Sequence, residues 1–287
     1  MNRLPESQRG RSDVTVLHDL RRWEGPFSAL LRHRALVWEL SKREVLGRYR
    51  GASFGLAWSV ISPFLMLCVY AFAFGTVLKS RWPHEAGGDH SYAVILFVGL
   101  ILHGFFAECL TRSPTLVVAN PNFVKRVVFP LDVLPWPMLF SALFHALMNM
   151  VVLSLLMLAL EHRLHPTIIL LPLIFVPLAV LTLGLSWILA SLGVYFRDIS
   201  QVMPVVATAL LFLSSAIVPV SILPPPLQRL FHLNPLTFFI DQARMVALVG
   251  GMPNWWAFGL VTVAALLVAW LGHAWFMATQ RGFADVL

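Results

Sequence analysis

Polar and apolar residues along this chain fall into blocks instead of alternating on a short period. Stretches 53–78, 133–160, 166–196, 199–228 and 245–280 contain no Lys, Arg, Asp or Glu. A helix on a soluble protein needs a polar face, so runs this long and uniform belong in lipid. Backbone groups in lipid must be satisfied within the structure itself, which selects helices or a closed barrel. Barrel strands alternate over about ten residues, whereas these runs are continuous. The pattern predicts an all-α integral membrane protein with six transmembrane helices, near 54–78, 92–112, 133–160, 167–194, 202–221 and 255–278. Pro63, Pro172, Pro177 and Pro204 fall inside these spans. Neighbouring groups in a bundle take over the carbonyls that such prolines free.

Three stretches outside the spans have patterns of their own. In "FSALLRHRALVWELSKREVLGRYRG", Phe27, Leu30, Leu31, Leu36, Val37, Leu40, Val45 and Leu46 recur at spacings near three and four with cations between them. This predicts an N-terminal amphipathic interfacial helix whose Lys and Arg reach headgroups, with Gly51 and Gly55 permitting the turn into the first span. The chain thus divides into a segment 1–52 and a six-span membrane domain 53–287. Between spans five and six, "ILPPPLQRLFHLNPLTFFIDQARMVALVGG" is too apolar for a solvated loop and too broken by proline for a span. Two half-length helices, about 226–233 and 236–248, predict an external re-entrant pair. Its Asn234–Pro235 step separates them, and Asp241 and Arg244, three apart on the second, suit a structural ion pair. Finally, 122–128 between Pro121 and Pro130 predicts a short, stiff connector helix. Phe123 and Val124 would offer an exposed apolar plug there, and Lys125 and Arg126 would meet acidic groups or lipid phosphates.

Charge sets the orientation. Residues 1–52 hold 11 of the 21 Lys and Arg. Six spans place both termini on one side, together with Lys125, Arg126, Arg197 and Arg281. The opposite side receives Lys79, Arg81, Arg163, Arg229 and Arg244. The excess marks the terminal side as cytoplasmic. It also accounts for the net charge of +7 without nucleic acid as a partner. No apolar core with a cleavage site occupies the first ~50 residues, so the first span serves as an internal signal. Cys68 and Cys109 lie in apolar segments and predict no disulfide.

Catalytic signatures are missing. There is no G-x-x-x-x-G-K-[ST], no H-E-x-x-H and no C-x-x-C, which predicts no catalytic residues, no cofactor and no metal. His162 and His165 read as polar caps at a helix end. Glu108 near the end of the second span and Asp132 before the third are sparse intramembrane acids, and His103 and His145 are the midplane-like histidines. That is thin equipment for a proton-driven carrier.

Four motifs in order resemble the type-2 ABC exporter permeases, in their polysaccharide export branch of O-antigen, capsule and teichoic-acid transporters. They are "ELSKREVLGRYRGASFGLAWSVISPFL", "NPNFVKRVVFPLDVLPW", "YFRDISQVMPVVATALLFLSSAIVPVSILP" and "NPLTFFIDQARMVALVG", together spanning about 37–250. The first ~25 residues are an extension the resemblance does not cover. The resemblance implies a multi-pass permease subunit of the bacterial inner membrane that works as a homodimer with two copies of a separate ABC ATPase. It implies export of a lipid-linked polysaccharide, contact with membrane lipids, and a periplasmic export partner that the sequence does not identify. In that frame Asn122, Phe123, Val124, Lys125 and Arg126 couple to the ATPase, and Arg197 and Asp198 form a cytoplasmic turn. Arg43, Arg48 and Arg50 receive the substrate's anionic anchor, while Trp58, Phe64, Tyr70 and Phe212 are channel aromatics. Asn234, Pro235, Asp241 and Arg244 belong to the external re-entrant region. An exporter of small hydrophobic molecules on the same architecture, and a non-transport scaffold, remain alternatives at this stage.

Overall fold

The computed structural model describes residues 25–77, 90–124, 129–162 and 164–287, and among these it is built from helices. In chain order they are α1 (Ser28–Arg32), α2 (Arg34–Arg48), α3 (Trp58–Tyr70), α4 (Tyr92–Arg112), α5 (Pro121–Val124) and α6 (Pro135–Leu156). There follow α7 (Leu171–Tyr195), α8 (Ile199–Phe212), α9 (Pro225–Leu233), α10 (Pro235–Arg244), α11 (Trp255–Thr279) and α12 (Phe283–Val286).

Five helical stretches among the described residues are long and apolar enough to cross a bilayer: Gly55–Phe74, Tyr92–Thr115, Leu131–Ala159, Pro166–Tyr195 and Trp255–Val286. They are not equivalent in the bundle. Tyr92–Thr115 has 78% of its apolar window buried, whereas Gly55–Phe74 has 11% and Trp255–Val286 has 22%. Helix α4 is the central post, touching α6, α7, α8 and α10. Helices α3 and α11 keep wide apolar faces outward, including Phe64, Met66, Leu260 and Val263. Helices α7 and α11 approach closely: a Cβ added at Gly272 would lie 2.2 Å from the Gly184 carbonyl oxygen. Two glycines let these backbones meet, the usual device where lipid supplies no hydrophobic drive between helices.

Helix α2 lies along α6. His33, Leu36, Val37, Leu40, Ser41, Glu44 and Val45 form its covered stripe, while Trp38 and Leu46 are exposed. Of the apolar residues whose spacing marked this stretch in the sequence, Leu36, Val37, Leu40 and Val45 lie in the stripe, whereas Leu31 and Leu46 are exposed. The chain then turns at Gly51 and Gly55, both with positive φ (86° and 51°), a conformation glycine adopts without steric cost.

The fifth span expected at 202–221 departs from expectation. Helix α8 has 14 residues and ends at Phe212. At 1.5 Å per residue it reaches about 21 Å, short of a hydrocarbon core of about 30 Å. Beyond it the chain runs irregularly, through a short turn at Val220–Ile222, to α9 and α10. The reason lies in side chains from elsewhere that capture the carbonyls of 210–217, described next.

Candidate functional site

Two polar constellations sit toward opposite ends of α4. The first surrounds the broken end of α8. Arg244 is 4% exposed. Its Nε donates to the Ile95 carbonyl at 3.2 Å, Nη1 to Ser215 at 2.6 Å and Nη2 to Ala216 at 2.8 Å. Asn234 donates from its amide nitrogen to the carbonyls of Leu210 and Leu213, both at 3.1 Å. Its Oδ1 accepts from the Leu236 backbone N–H at 3.0 Å, capping the N-terminus of α10 just ahead of Pro235. Tyr92 donates to Ile217 O at 2.8 Å, and the His103 ring donates from Nε2 to Ala207 O at 2.9 Å. Backbone freed inside a membrane protein must find partners in protein. Here side chains from α4 and from the loop and helix around α10 supply them. The ion pair expected between Asp241 and Arg244 is present only as a 4.0 Å contact. Carbonyls are the arginine's principal partners.

The second constellation lines a cleft of about 770 Å³ between α2, α4 and α6. Its walls carry Arg43, Glu44, Gly47 and Arg48 from α2, Gly104, Glu108, Thr111 and Arg112 from α4, and Ser141 from α6. Glu108 is the hub. Its Oε1 accepts from Arg48 Nη1 at 2.7 Å and from Arg112 Nη1 at 3.1 Å, and its Oε2 lies 3.3 Å from His145 Nδ1. Arg112 also pairs with Glu44, tying α2 to α4. Three helices are thereby joined through one carboxylate.

The remaining expected residues are placed as follows. Arg43 and Arg48 border the cleft, whereas Arg50 is exposed just beyond α2. Asn122 is exposed on α5, and Lys125 and Arg126 lie outside the described residues. Phe123, expected as an exposed plug, is half-buried. It stacks on Phe129 with ring centroids 4.2 Å apart and planes 7° from parallel, so the ring is covered by a neighbouring phenyl. Arg197 and Asp198 are exposed at the turn into α8. Of the aromatics, Trp58 packs on Phe54 and Tyr70 on Phe74. Phe64 and Phe212 are 47% and 62% exposed, and no ring contact joins any two of the four among the described residues. Sequence reasoning missed Glu44, Arg112, Ser141 and Tyr92. A cation at 112 four residues after Glu108 on one helix was the available signal.

Among the described residues the bundle thus combines five long apolar helices with the shorter α8, a helix packed along it before the first and a short helix after the second. The chain belongs to the ABC-2 type transporter family, whose sequence pattern matches residues 35–248. It is similar to an O-antigen export system permease protein RfbA of Myxococcus xanthus, 23% identical over 260 residues, covering 89% of this chain and 96% of the relative. An RfbA of Klebsiella pneumoniae is 23% identical over 251 residues, with 86% and 93% covered. The polysialic acid transport protein KpsM of Escherichia coli is 23% identical over 249 residues, with 86% and 95% covered.

Proposed function

We propose that this chain is the permease subunit of an ATP-driven exporter that carries a lipid-linked polysaccharide, of capsule or O-antigen type, across the bacterial inner membrane. The observation that carries this reading is the family match over 35–248 together with relatives named for O-antigen and polysialic acid export along nearly their whole length. Energy comes from a separate ABC ATPase, since the chain has no phosphate-binding loop of its own. Two copies form the pathway and two ATPase chains drive it, the symmetric solution for a subunit that supplies half a channel. The outward apolar faces of α3 and α11 supply surface for a second copy and for lipid.

Both termini, α2 and the connector lie on the cytoplasmic side, following the cation excess in 1–52. The cations of α2 draw in the anionic anchor of the substrate, each worth about 1 kcal/mol near an anionic surface. The connector with Asn122, Phe123, Val124, Lys125 and Arg126 docks on the ATPase. Helices α9 and α10 close the external mouth.

The test is co-purification of the tagged chain with a subunit that carries a phosphate-binding loop, followed by ATP-driven export. Replacing Phe123→Asp together with Val124→Asp leaves membrane insertion intact, abolishes export and frees ATP hydrolysis from transport. Export at the parental rate by that double variant overturns the docking role of the connector.

A further inference from the structure

The cleft between α2, α4 and α6 has features its ion pairs leave unused. The Ser141 hydroxyl lies in its wall, on a residue 1% exposed, and has no hydrogen-bond partner among the described residues. One turn further along α6, His145 Nε2 is also buried and unpaired. Arg48 can only donate, and its Nη1 lies 2.8 Å from His145 Nδ1. The same Nδ1 lies 3.3 Å from Glu108 Oε2, so the ring is held between a donor and an acceptor. A buried polar group left without a partner costs about 1–3 kcal/mol, and folded proteins keep few of them. Space is reserved as well. Gly47 and Gly104 line the cleft, and a Cβ at either would meet nothing within 4 Å. Three arginines border the same space: Arg43, Arg48 and Arg112.

We propose that this cleft binds a phosphate or diphosphate headgroup, whose oxygens displace Glu108 from Arg48 and take up the free hydroxyl of Ser141. The proposal rests on the export reading for its link to cargo, and names the atoms that recognise the phosphate end of a lipid-linked polymer. Guanidinium groups bind phosphate through two parallel hydrogen bonds, and phosphate brings more anionic oxygens than the carboxylate it replaces. A neutral sugar has no charge with which to compete for Arg48. Exchange is open because the Arg48 side chain is 51% exposed, and ion pairs that reach solvent are held weakly.

The test uses the full-length chain in phosphatidylcholine nanodiscs without ATP. It is titrated with inorganic pyrophosphate and, separately, with phosphatidic acid mixed into the disc. Saturable binding of pyrophosphate alone assigns the site to free phosphate compounds; binding of phosphatidic acid assigns it to lipid headgroups. Either upholds the cleft. Gly104→Leu changes no charge and places a side chain in the reserved space, and it weakens binding about tenfold or more. Ser141→Ala weakens it in the same direction. Glu108→Gln removes the competing carboxylate and tightens it. The opposite sign separates ligand exchange from simple damage to the fold. No saturable binding of either probe, parental binding by Gly104→Leu, or weaker binding by Glu108→Gln overturns the proposal. Because neither ATPase nor polymer is present, that failure leaves the export reading standing. Failure of the export reading shows instead as a chain that binds pyrophosphate but moves no polymer with its ATPase.

Discussion

Arginine is used in two ways at the two ends of α4. At the broken end of α8, Arg244 is 4% exposed and spends all three guanidinium nitrogens on backbone carbonyls. At the other end, the Arg48 and Arg112 side chains are 51% and 36% exposed and share one carboxylate. The first arrangement is dominated by partners that cannot exchange. Its carbonyls are fixed points of the chain, so the arginine fixes the path of 213–217 and nothing else can replace it there. The second arrangement is exchangeable, because any anion that reaches the cleft competes with Glu108 on equal chemical terms. A saturated buried network holds a shape, whereas an open and partly unsatisfied one receives a ligand.

The comparison is broken most decisively at Arg244. Arg244→Ala strands the carbonyls of Ser215 and Ala216 and removes the side-chain bond to Ile95, whose carbonyl keeps its helical partner. The expected loss is about 3–5 kcal/mol. In detergent this appears as a large fall in the thermal unfolding midpoint or as failure to accumulate in the membrane. Arg244→Lys restores a cation but not the fork, and recovers only part of the loss. An Arg244→Ala chain as stable as the parent shows that the irregular stretch is held by packing alone, and the contrast between the two ends disappears.

Asn234 sharpens the same end with a smaller effect. Asn234→Ala removes donors to Leu210 O and Leu213 O and the cap on α10. The expected cost is about 2–3 kcal/mol. Asn234→Asp keeps the capping oxygen but not the two donated bonds, so it falls between alanine and the parent. Equal stability of the aspartate variant and the parent would show that the cap matters and the carbonyl contacts do not.

How far this was legible in the sequence follows from the kind of partner each residue has. Proline punctuation at Pro224–Pro226 and Pro235 marked the limits of α9 and α10 closely, because proline restricts its own backbone whatever surrounds it. Asn234 and Arg244 stood out, but the sequence offered Asp241 as the arginine's partner through its spacing. The carbonyls that hold Arg244 belong to residues 28 or more positions away, and a carbonyl has no sequence identity to read. The end of the fifth span was missed for the same reason: hydropathy continues through 213–222 while the helix does not. At the cleft, Glu108 and His145 were visible as isolated polar residues in apolar runs. Their link to Arg48 spans separations of 60 and 97 residues, which no helical period connects. The aromatics chosen for a channel were chosen by type alone, and on α3 they face outward or pack on local neighbours.

The smallest expected effect lies at Glu44, and it is the most demanding test of the contrast. Glu44 pairs with Arg112, and each side chain is 36% exposed. Ion pairs reached by solvent contribute about 0–1 kcal/mol, because screening and side-chain entropy offset most of the attraction. Glu44→Gln therefore leaves the unfolding midpoint nearly unchanged. The same substitution makes the cleft more positive by one charge and releases Arg112 from one of its two carboxylates. Pyrophosphate binding to the nanodisc-held chain should then tighten severalfold, by less than in Glu108→Gln, since Glu108 also holds Arg48 and His145. Added salt should weaken the gain, as it does for charges that water reaches. A Glu44→Gln chain that unfolds several degrees early, with unchanged anion binding, would instead place this ion pair with Arg244 among the groups that hold shape. Helix α2 would then be a fixed wall of the bundle, and the cleft beside it would have no exchangeable charge on that side.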